Sequence, residues 1–260
     1  MADFHTVEPP LSGIYRLGRS ASALFAPPDW SNAIERDTFS GRFDDPRTDL
    51  GKEQRFRIIY CASDRRTAFG ETLAGLRPPI RLASRLDSVI DEEPLDESYF
   101  HATDPADRTR GLIEADWRLK RAIGHTILEP GLRFVDLGAA RTLQQLRASF
   151  ETWAPGARVE DVDQSLVMGP SRQFTQRIAR YIYEHQDSRG TPLFAGIRYT
   201  SRLDRKWECW AIFADRIRHI PGMPGLPETI FPDDPDLLEV ASIFQLTIET
   251  VEGAGHYDRP

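Results

Sequence analysis

The sequence contains little lysine and little cysteine. Lys52, Lys120 and Lys206 are the three lysines among 33 basic residues, which leaves 30 arginines. Such a bias can reflect genome base composition, so arginine abundance alone does not indicate an anion site. Cys61 and Cys209 are too few for a disulfide framework, and each lies in an apolar, strand-like run. We therefore expect both to pack as small hydrophobic side chains.

Long apolar runs are also missing. No stretch approaches the roughly 20 residues that a membrane-spanning helix needs, and the first residues lack the basic start and apolar stretch of a secretory signal. We therefore expect a cytoplasmic protein without a membrane span. The formal net charge of -7 argues against direct nucleic-acid binding, because phosphate binding needs a basic face.

The common cofactor and catalytic motifs are absent from the sequence. It has no P-loop, no G-x-G-x-x-G after a strand, no H-E-x-x-H and no C-x-x-C. The six histidines show no metal-ligand spacing, and no serine lies in a G-x-S-x-G motif. We therefore expect no metal, and a Rossmann enzyme, a zinc enzyme and an α/β-hydrolase are all disfavoured.

The hydrophobic pattern predicts one domain over residues 1–260, since 260 residues with 40% hydrophobic content can bury a single core. "RFRIIYCA" (Arg55–Ala62) is predicted to be a strand. Ser63 or Asp64 then caps a helix that ends before Pro78 and Pro79. The acidic stretch 87–107 reads as a solvated loop.

The second half alternates further strands and helices. Strands are predicted at "RLKRAIGHTIL", "LRFVDLGA", "LFAGIRYTS", "ECWAIFA" and "QLTIETV", and helices at "RTLQQLRASFETW" and "PDLLEVASIF". Ser171 is expected to cap another helix, whose Phe174, Ile178 and Ile182 recur every four residues as a core-facing stripe. The turn "RLDRKW" resembles a hairpin connection between two of the strands.

Five polar residues lie at the ends or edges of these elements: Arg16 in "GIYRLGR", Arg42 in "SGRFDDP", Tyr60, Glu71 and Ser201 in "GIRYTSR". Each alone has an ordinary structural explanation, such as a surface ion pair, a core ring or a turn hydroxyl. Gly41 and Asp44-Asp45-Pro46 also form a rigid corner, with the aspartates expected to anchor it and to aim Arg42.

From about residue 13 to 213, the sequence resembles the RES family of bacterial toxins. The segments that carry the resemblance, in chain order, are "YR", "GRFDDP", "FRIIYCA", "AFGETL", "TQRIARYIY", "GIRYTSR" and "CWAIF". The resemblance implies an α+β fold similar to that of ADP-ribosyltransferases, with a mixed β-sheet core and surrounding helices. It also implies NAD as the substrate and a separate Xre-type antitoxin protein as a partner. Arg16, Arg42, Tyr60, Glu71 and Ser201 would line the NAD site.

The chemistry of NAD cleavage suits these residue types. Nicotinamide leaves as a neutral molecule and needs no protein acid, whereas the ribose carbon gains oxocarbenium character that Glu71 can stabilise. Arg16 and Arg42 can hold the diphosphate. Tyr60 can stack on a ring, and Ser201 can orient the carboxylate or a ribose hydroxyl.

Three functions remain open at the level of sequence. The first is cleavage of NAD by water or phosphate, the second is ADP-ribosyl transfer to a macromolecule, and the third is a non-catalytic module that docks a partner. The segment from Pro78 to Asp163 is longer than compact RES proteins need. It is expected to form a lid, an antitoxin-docking surface or only a larger scaffold.

Overall fold

The computed structural model describes residues 3–19, 23–33, 39–78, 111–217 and 227–250. Within these ranges, eight strands form one mixed sheet and seven helices surround it, with a separate two-stranded pair. The predicted α+β class is therefore confirmed. The loop predicted over 87–107 lies outside the described residues.

The strands are β1 Thr6–Val7, β2 Ile14–Gly18, β3 Ile58–Ala62, β4 Leu112–Ile113, β5 Ala122–Thr126, β6 Phe134–Asp136, β7 Gly196–Thr200, β8 Glu208–Phe213, β9 Glu228–Thr229 and β10 Thr247–Ile248. The sheet runs in the order β1-β6-β7-β8-β3-β2-β5-β9, and neighbouring strands are antiparallel except β6 and β7. The separate pair, β4 and β10, is parallel.

Two helices begin directly after the predicted cap residues Asp64 and Ser171. Asp64 accepts a hydrogen bond from the Thr67 amide at 2.8 Å, and a 3-10 turn at Ala74–Leu76 ends this helical region before Pro78. The helices are α1 Arg65–Leu73, α2 Ala115–Leu119, α3 Ala140–Ala148, α4 Phe150–Trp153, α5 Gln164–Met168, α6 Arg172–Tyr183 and α7 Pro235–Phe244.

Several predicted strands are shorter in the structure. In two of the predicted elements, tertiary contacts override the local pattern. The strand predicted from Arg118 begins at Ala122, since Arg118 lies near the end of α2 and donates to the Glu249 carbonyl at 2.7 Å. The helix predicted over 141–153 is interrupted at Ser149, where φ is -108° and ψ is 17°. The Trp153 indole then donates to the Leu146 carbonyl at 2.8 Å across this break.

The sheet buries side chains on both faces. Along β3, Ile58 joins the cluster under α3–α6, and Ile59 and Cys61 join the cluster on the opposite face, as period-two alternation requires. Both cysteines are buried free thiols, as expected. On α6, Ile178 and Ile182 are buried in the core, which confirms the predicted stripe.

The cap predicted for α6 is correct in position but not in bonding. Ser171 occupies the N-cap position, yet its side chain makes no capping hydrogen bond. Phe174, the third member of the predicted stripe, is half-buried and packs against the same core. The packing of the stripe against the sheet therefore holds α6 in place, and the side-chain capping hydrogen bond expected from Ser171 does not contribute.

The sheet opens between two neighbouring inner strands, β3 and β2. Their ladder has one paired position, Tyr15 with Ala62, whereas the β3–β8 and β2–β5 ladders each have five. The strands therefore diverge beyond Tyr15, and a cleft opens between residues 16–19 and 60–62. In the described part of the chain, no helix is both long and apolar enough to cross a membrane.

Candidate active site

The cleft has a volume of about 330 Å³. The diverging strands border it, α1 forms one wall, and the start of α6 approaches from the opposite side. The charged side chains that line it are five arginines and one carboxylate: Arg16, Arg19, Arg42, Arg121, Arg172 and Glu71. This positive lining in a protein of net charge -7 favours an anionic ligand.

Glu71 lies on α1 and is held by Ser201 from the turn after β7. The Ser201 hydroxyl donates to Oε1 of Glu71 at 2.5 Å. The Ser201 hydroxyl oxygen also accepts from the Leu203 amide at 3.0 Å, and the Ser201 amide donates to the Trp207 carbonyl at 2.8 Å. Because a serine hydroxyl has one proton, these contacts direct that proton to the carboxylate.

The residue before Glu71 sets how closely α1 approaches the β7–β8 turn. A Cβ atom at Gly70 would lie 2.2 Å from the ring of Trp207, which is buried. Only glycine permits this approach without displacing the indole. Gly70 and Trp207 together therefore bring Glu71 within hydrogen-bonding distance of Ser201.

The electrostatic environment of Glu71 contains opposing effects. The residue is exposed to the cleft, but the surrounding protein atoms desolvate its carboxylate and raise the pKa. The Ser201 hydrogen bond and the charges of Arg42 and Arg202 partly offset this rise. The Glu71 carboxylate is therefore desolvated, and its ionised form is stabilised by one hydrogen bond and by nearby positive charges.

The turn that presents Arg42 is closed by Asp44. Its Oδ2 accepts from the Gly41 amide at 2.5 Å, and its Oδ1 accepts from the Tyr60 hydroxyl at 3.2 Å. A Cβ at Gly41 would lie 2.3 Å from Asp44 Oδ2, so this close approach requires glycine. Burial raises the pKa of Asp44 to about 6, although the Gly41 and Tyr60 hydrogen bonds oppose the rise.

Asp45 holds the other end of the same turn. It pairs with the Arg47 guanidinium and accepts from the Phe56 amide at 3.1 Å. The expectation that the two aspartates anchor the turn is therefore confirmed. Tyr60 completes the anchor, because its oxygen also accepts from the Phe43 amide at 2.8 Å, and burial raises its pKa.

Arg42 itself is buried, with 7% of its surface exposed. Its guanidinium donates to the Val167 carbonyl at the end of α5, lies 3.7 Å from Met168 Sδ and stands 5.5 Å from the centre of the Tyr199 ring. Its charge also acts on Glu71. Arg42, Tyr60, Glu71 and Ser201 thus form one connected group along the cleft.

Arg16 takes a different orientation. Tyr15 pairs with Ala62 across the strands, so Tyr15 and Tyr60 share a face and Arg16 projects toward the opposite one. Its guanidinium donates to the Ala26 carbonyl at 3.1 Å, and burial lowers its pKa. Arg16 lines the cleft where the strands part, but its charged group is directed away from Glu71.

Several cleft residues were not selected from the sequence. Arg172 is the first residue of α6, and its charge acts on both Asp44 and Tyr60. Arg19 and Arg121 also line the cleft. They lie just beyond the last β2–β5 pair, at the end of the cleft away from the Tyr15–Ala62 pair, hereafter the far end. Arg172 and Tyr199 do lie beside segments with a recognisable pattern, but no local motif distinguishes Arg121 from the other arginines.

The described residues contain no group of three or more side chains placed to hold a metal ion. They define instead an α+β protein whose split sheet holds a carboxylate, fixed by a serine, in an arginine-lined cleft. The family model described as RES domain matches residues 14–228, so the chain belongs to the RES domain family. Membership supports a toxin-like, NAD-related domain at the level of the family. Comparison with curated proteins and with solved structures found no match.

Proposed function

We propose that this protein cleaves the bond between nicotinamide and ribose in NAD, with water or phosphate as the acceptor. The observation that supports the proposal best is the Glu71 carboxylate, fixed by Ser201 in a cleft lined by five arginines. A single carboxylate among cations suits a ligand that has anionic phosphates and a reacting centre that becomes positive.

The carboxylate acts on the ribose. As nicotinamide departs, positive charge develops on the anomeric carbon and ring oxygen, and a fixed anion beside them lowers the barrier. Ser201 restrains rotation of the Glu71 carboxylate, so little reorganisation is needed during the reaction. The leaving group becomes neutral, and an acid is therefore not required to protonate it.

The arginines bind the diphosphate. Arg42 and Arg172 lie on the side of the cleft beside Tyr60 and Asp44, and their positive charges attract phosphate oxygens there. Arg42 would contact a phosphate through the N–H groups that do not donate to the Val167 carbonyl. Arg16 would join these two arginines only if its guanidinium leaves the Ala26 carbonyl, to which it donates in this structure. Tyr60 and Tyr199 supply aromatic surface at the same site.

The direct test incubates purified protein with NAD and measures released nicotinamide. Glu71→Gln keeps the size of the side chain and removes its charge, so release should fall by at least about 100-fold. Glu239→Gln is the matched control, because Glu239 is an exposed glutamate on α7 that pairs with Arg66. Equal release by wild type and Glu71→Gln, or none by either, would contradict the proposal.

The biological setting is part of the same proposal. The enzyme would act as a cytoplasmic toxin, held inactive by a separate Xre-type antitoxin. Induction in a bacterial host should lower intracellular NAD and slow growth, and Glu71→Gln should do neither. NAD labelled in its adenylate half distinguishes the outcomes, since label on a macromolecule would indicate ADP-ribosyl transfer rather than release of a small product.

A further inference from the structure

The far end of the cleft brings together two arginines that no motif connects. The β2–β5 ladder ends with the pair Gly18 and Ala122. Arg19 follows Gly18 at a bend and Arg121 precedes Ala122, so the two residues are neighbours just beyond the last pair of the ladder. Both arginines line the cleft that contains Glu71.

The two side chains differ in how firmly they are held. Arg121 is 8% exposed; its guanidinium donates to the Trp117 carbonyl at 3.0 Å and stands 4.4 Å from the centre of the Trp117 ring. Packing against an aromatic ring fixes the plane of a guanidinium, and a fixed planar group of donors suits phosphate oxygens. Arg19 is exposed at the end of β2.

An anion between the two guanidinium groups would receive charge-assisted hydrogen bonds from both. Arg42 and Arg172 are separate from this pair, because they lie beside Tyr60 and Asp44 and are brought there by the 41–45 turn and α6. The cleft therefore has a second concentration of positive charge.

We propose that Arg19 and Arg121 form a phosphate subsite at the far end of the cleft. The subsite deepens the proposed function, on which it rests for the identity of the ligand. Its phosphate can come from three sources with one chemistry: the diphosphate of NAD, the additional 2′-phosphate of NADP, or a free phosphate that occupies the cleft beside the nucleotide.

Calorimetry with inorganic pyrophosphate tests the subsite without requiring any reaction. Wild type should bind pyrophosphate, and Arg19→Gln and Arg121→Gln should each weaken binding about tenfold or more. Arg19→Gln is informative even if Arg121→Gln does not fold, because Arg19 is exposed. Arg189→Gln, at an exposed loop arginine, is the control and should bind as wild type does.

The same variants identify the source of the phosphate. Weaker binding of ADP-ribose indicates the diphosphate, a loss confined to NADP indicates the 2′-phosphate, and a loss confined to inorganic phosphate or pyrophosphate indicates a free anion. Unchanged affinity for every one of these ligands in both variants would overturn the subsite. The proposed function can fail while the subsite stands. If the protein leaves NAD intact but its pyrophosphate binding still depends on Arg19, the proposed reaction is refuted and the subsite is supported.

Discussion

Replacement of Asp44 by asparagine should change how the stability of the protein depends on pH. The carboxyl is 3% exposed, and its pKa in the folded protein is about 6 against an ordinary value of 3.8. The folded state therefore holds this proton more tightly than the unfolded state does. Ionisation of Asp44 thus costs the folded state free energy, and the cost grows as pH rises from 3.8 to 6.

The size of the effect follows from the two pKa values. At 1.36 kcal/mol per pKa unit, ionisation reaches its full cost of about 3 kcal/mol near pH 8, and roughly half of that cost is present at pH 5. The asparagine side chain of the Asp44→Asn variant does not ionise, and its amide oxygen can still accept from the Gly41 amide. The free energy of unfolding of this variant, relative to wild type, should therefore increase by about 1–2 kcal/mol from pH 5 to pH 8.

Urea unfolding at several pH values measures this difference directly. The comparison between variant and wild type cancels the other titrating groups, so the slope reports Asp44. Asp49→Asn, at an exposed aspartate a few residues along the chain, controls for the substitution itself. A difference that stays constant with pH, or that favours wild type as pH rises, would refute the assignment of a desolvated carboxyl to the turn.

Two further substitutions test the setting of the Glu71 carboxylate. Ser201→Ala removes a hydrogen bond that lowers the pKa of Glu71, so the acid limb of the pH–rate profile should move to higher pH and kcat should fall about tenfold or more; an unmoved limb would contradict this. Gly70→Ala places a Cβ 2.2 Å from the Trp207 ring and should cost about 1–3 kcal/mol in thermal unfolding. Gly51→Ala, where the nearest atom is 3.7 Å away, is its control, and equal stability of the two would argue against the close contact.

The sequence predicts those elements whose bounds are set by contacts between residues close together in the chain. Asp64 caps α1 through a hydrogen bond to a residue three positions away, and the α6 stripe is a helical repeat, so both could be predicted. The end of α2 could not, because Arg118 is held by the carbonyl of Glu249, 131 residues later. Contacts of that range have no signature in a short window.

The same distinction explains which residues of the candidate site could be selected from the sequence. Arg42, Glu71 and Ser201 lie in segments with a recognisable family pattern, and the structure brings their side chains together. The orientation of Arg16 depends on which residue of β3 pairs with Tyr15, and a shift of one position would reverse its face. The location of Arg121 likewise depends on the β2–β5 register, which the sequence of neither strand determines alone.

The split between β2 and β3 explains why these groups meet at one place. Two strands that continued to pair beyond Tyr15 and Ala62 would satisfy their backbone groups with each other and leave no room for a ligand. The divergence exposes the edges of residues 16–19 and 60–62, while α1 and the 41–45 turn add Glu71 and Arg42 from either side. A ladder extended by one pair would place Arg16 opposite Cys61 and would therefore narrow the cleft in which Glu71 and Arg42 lie.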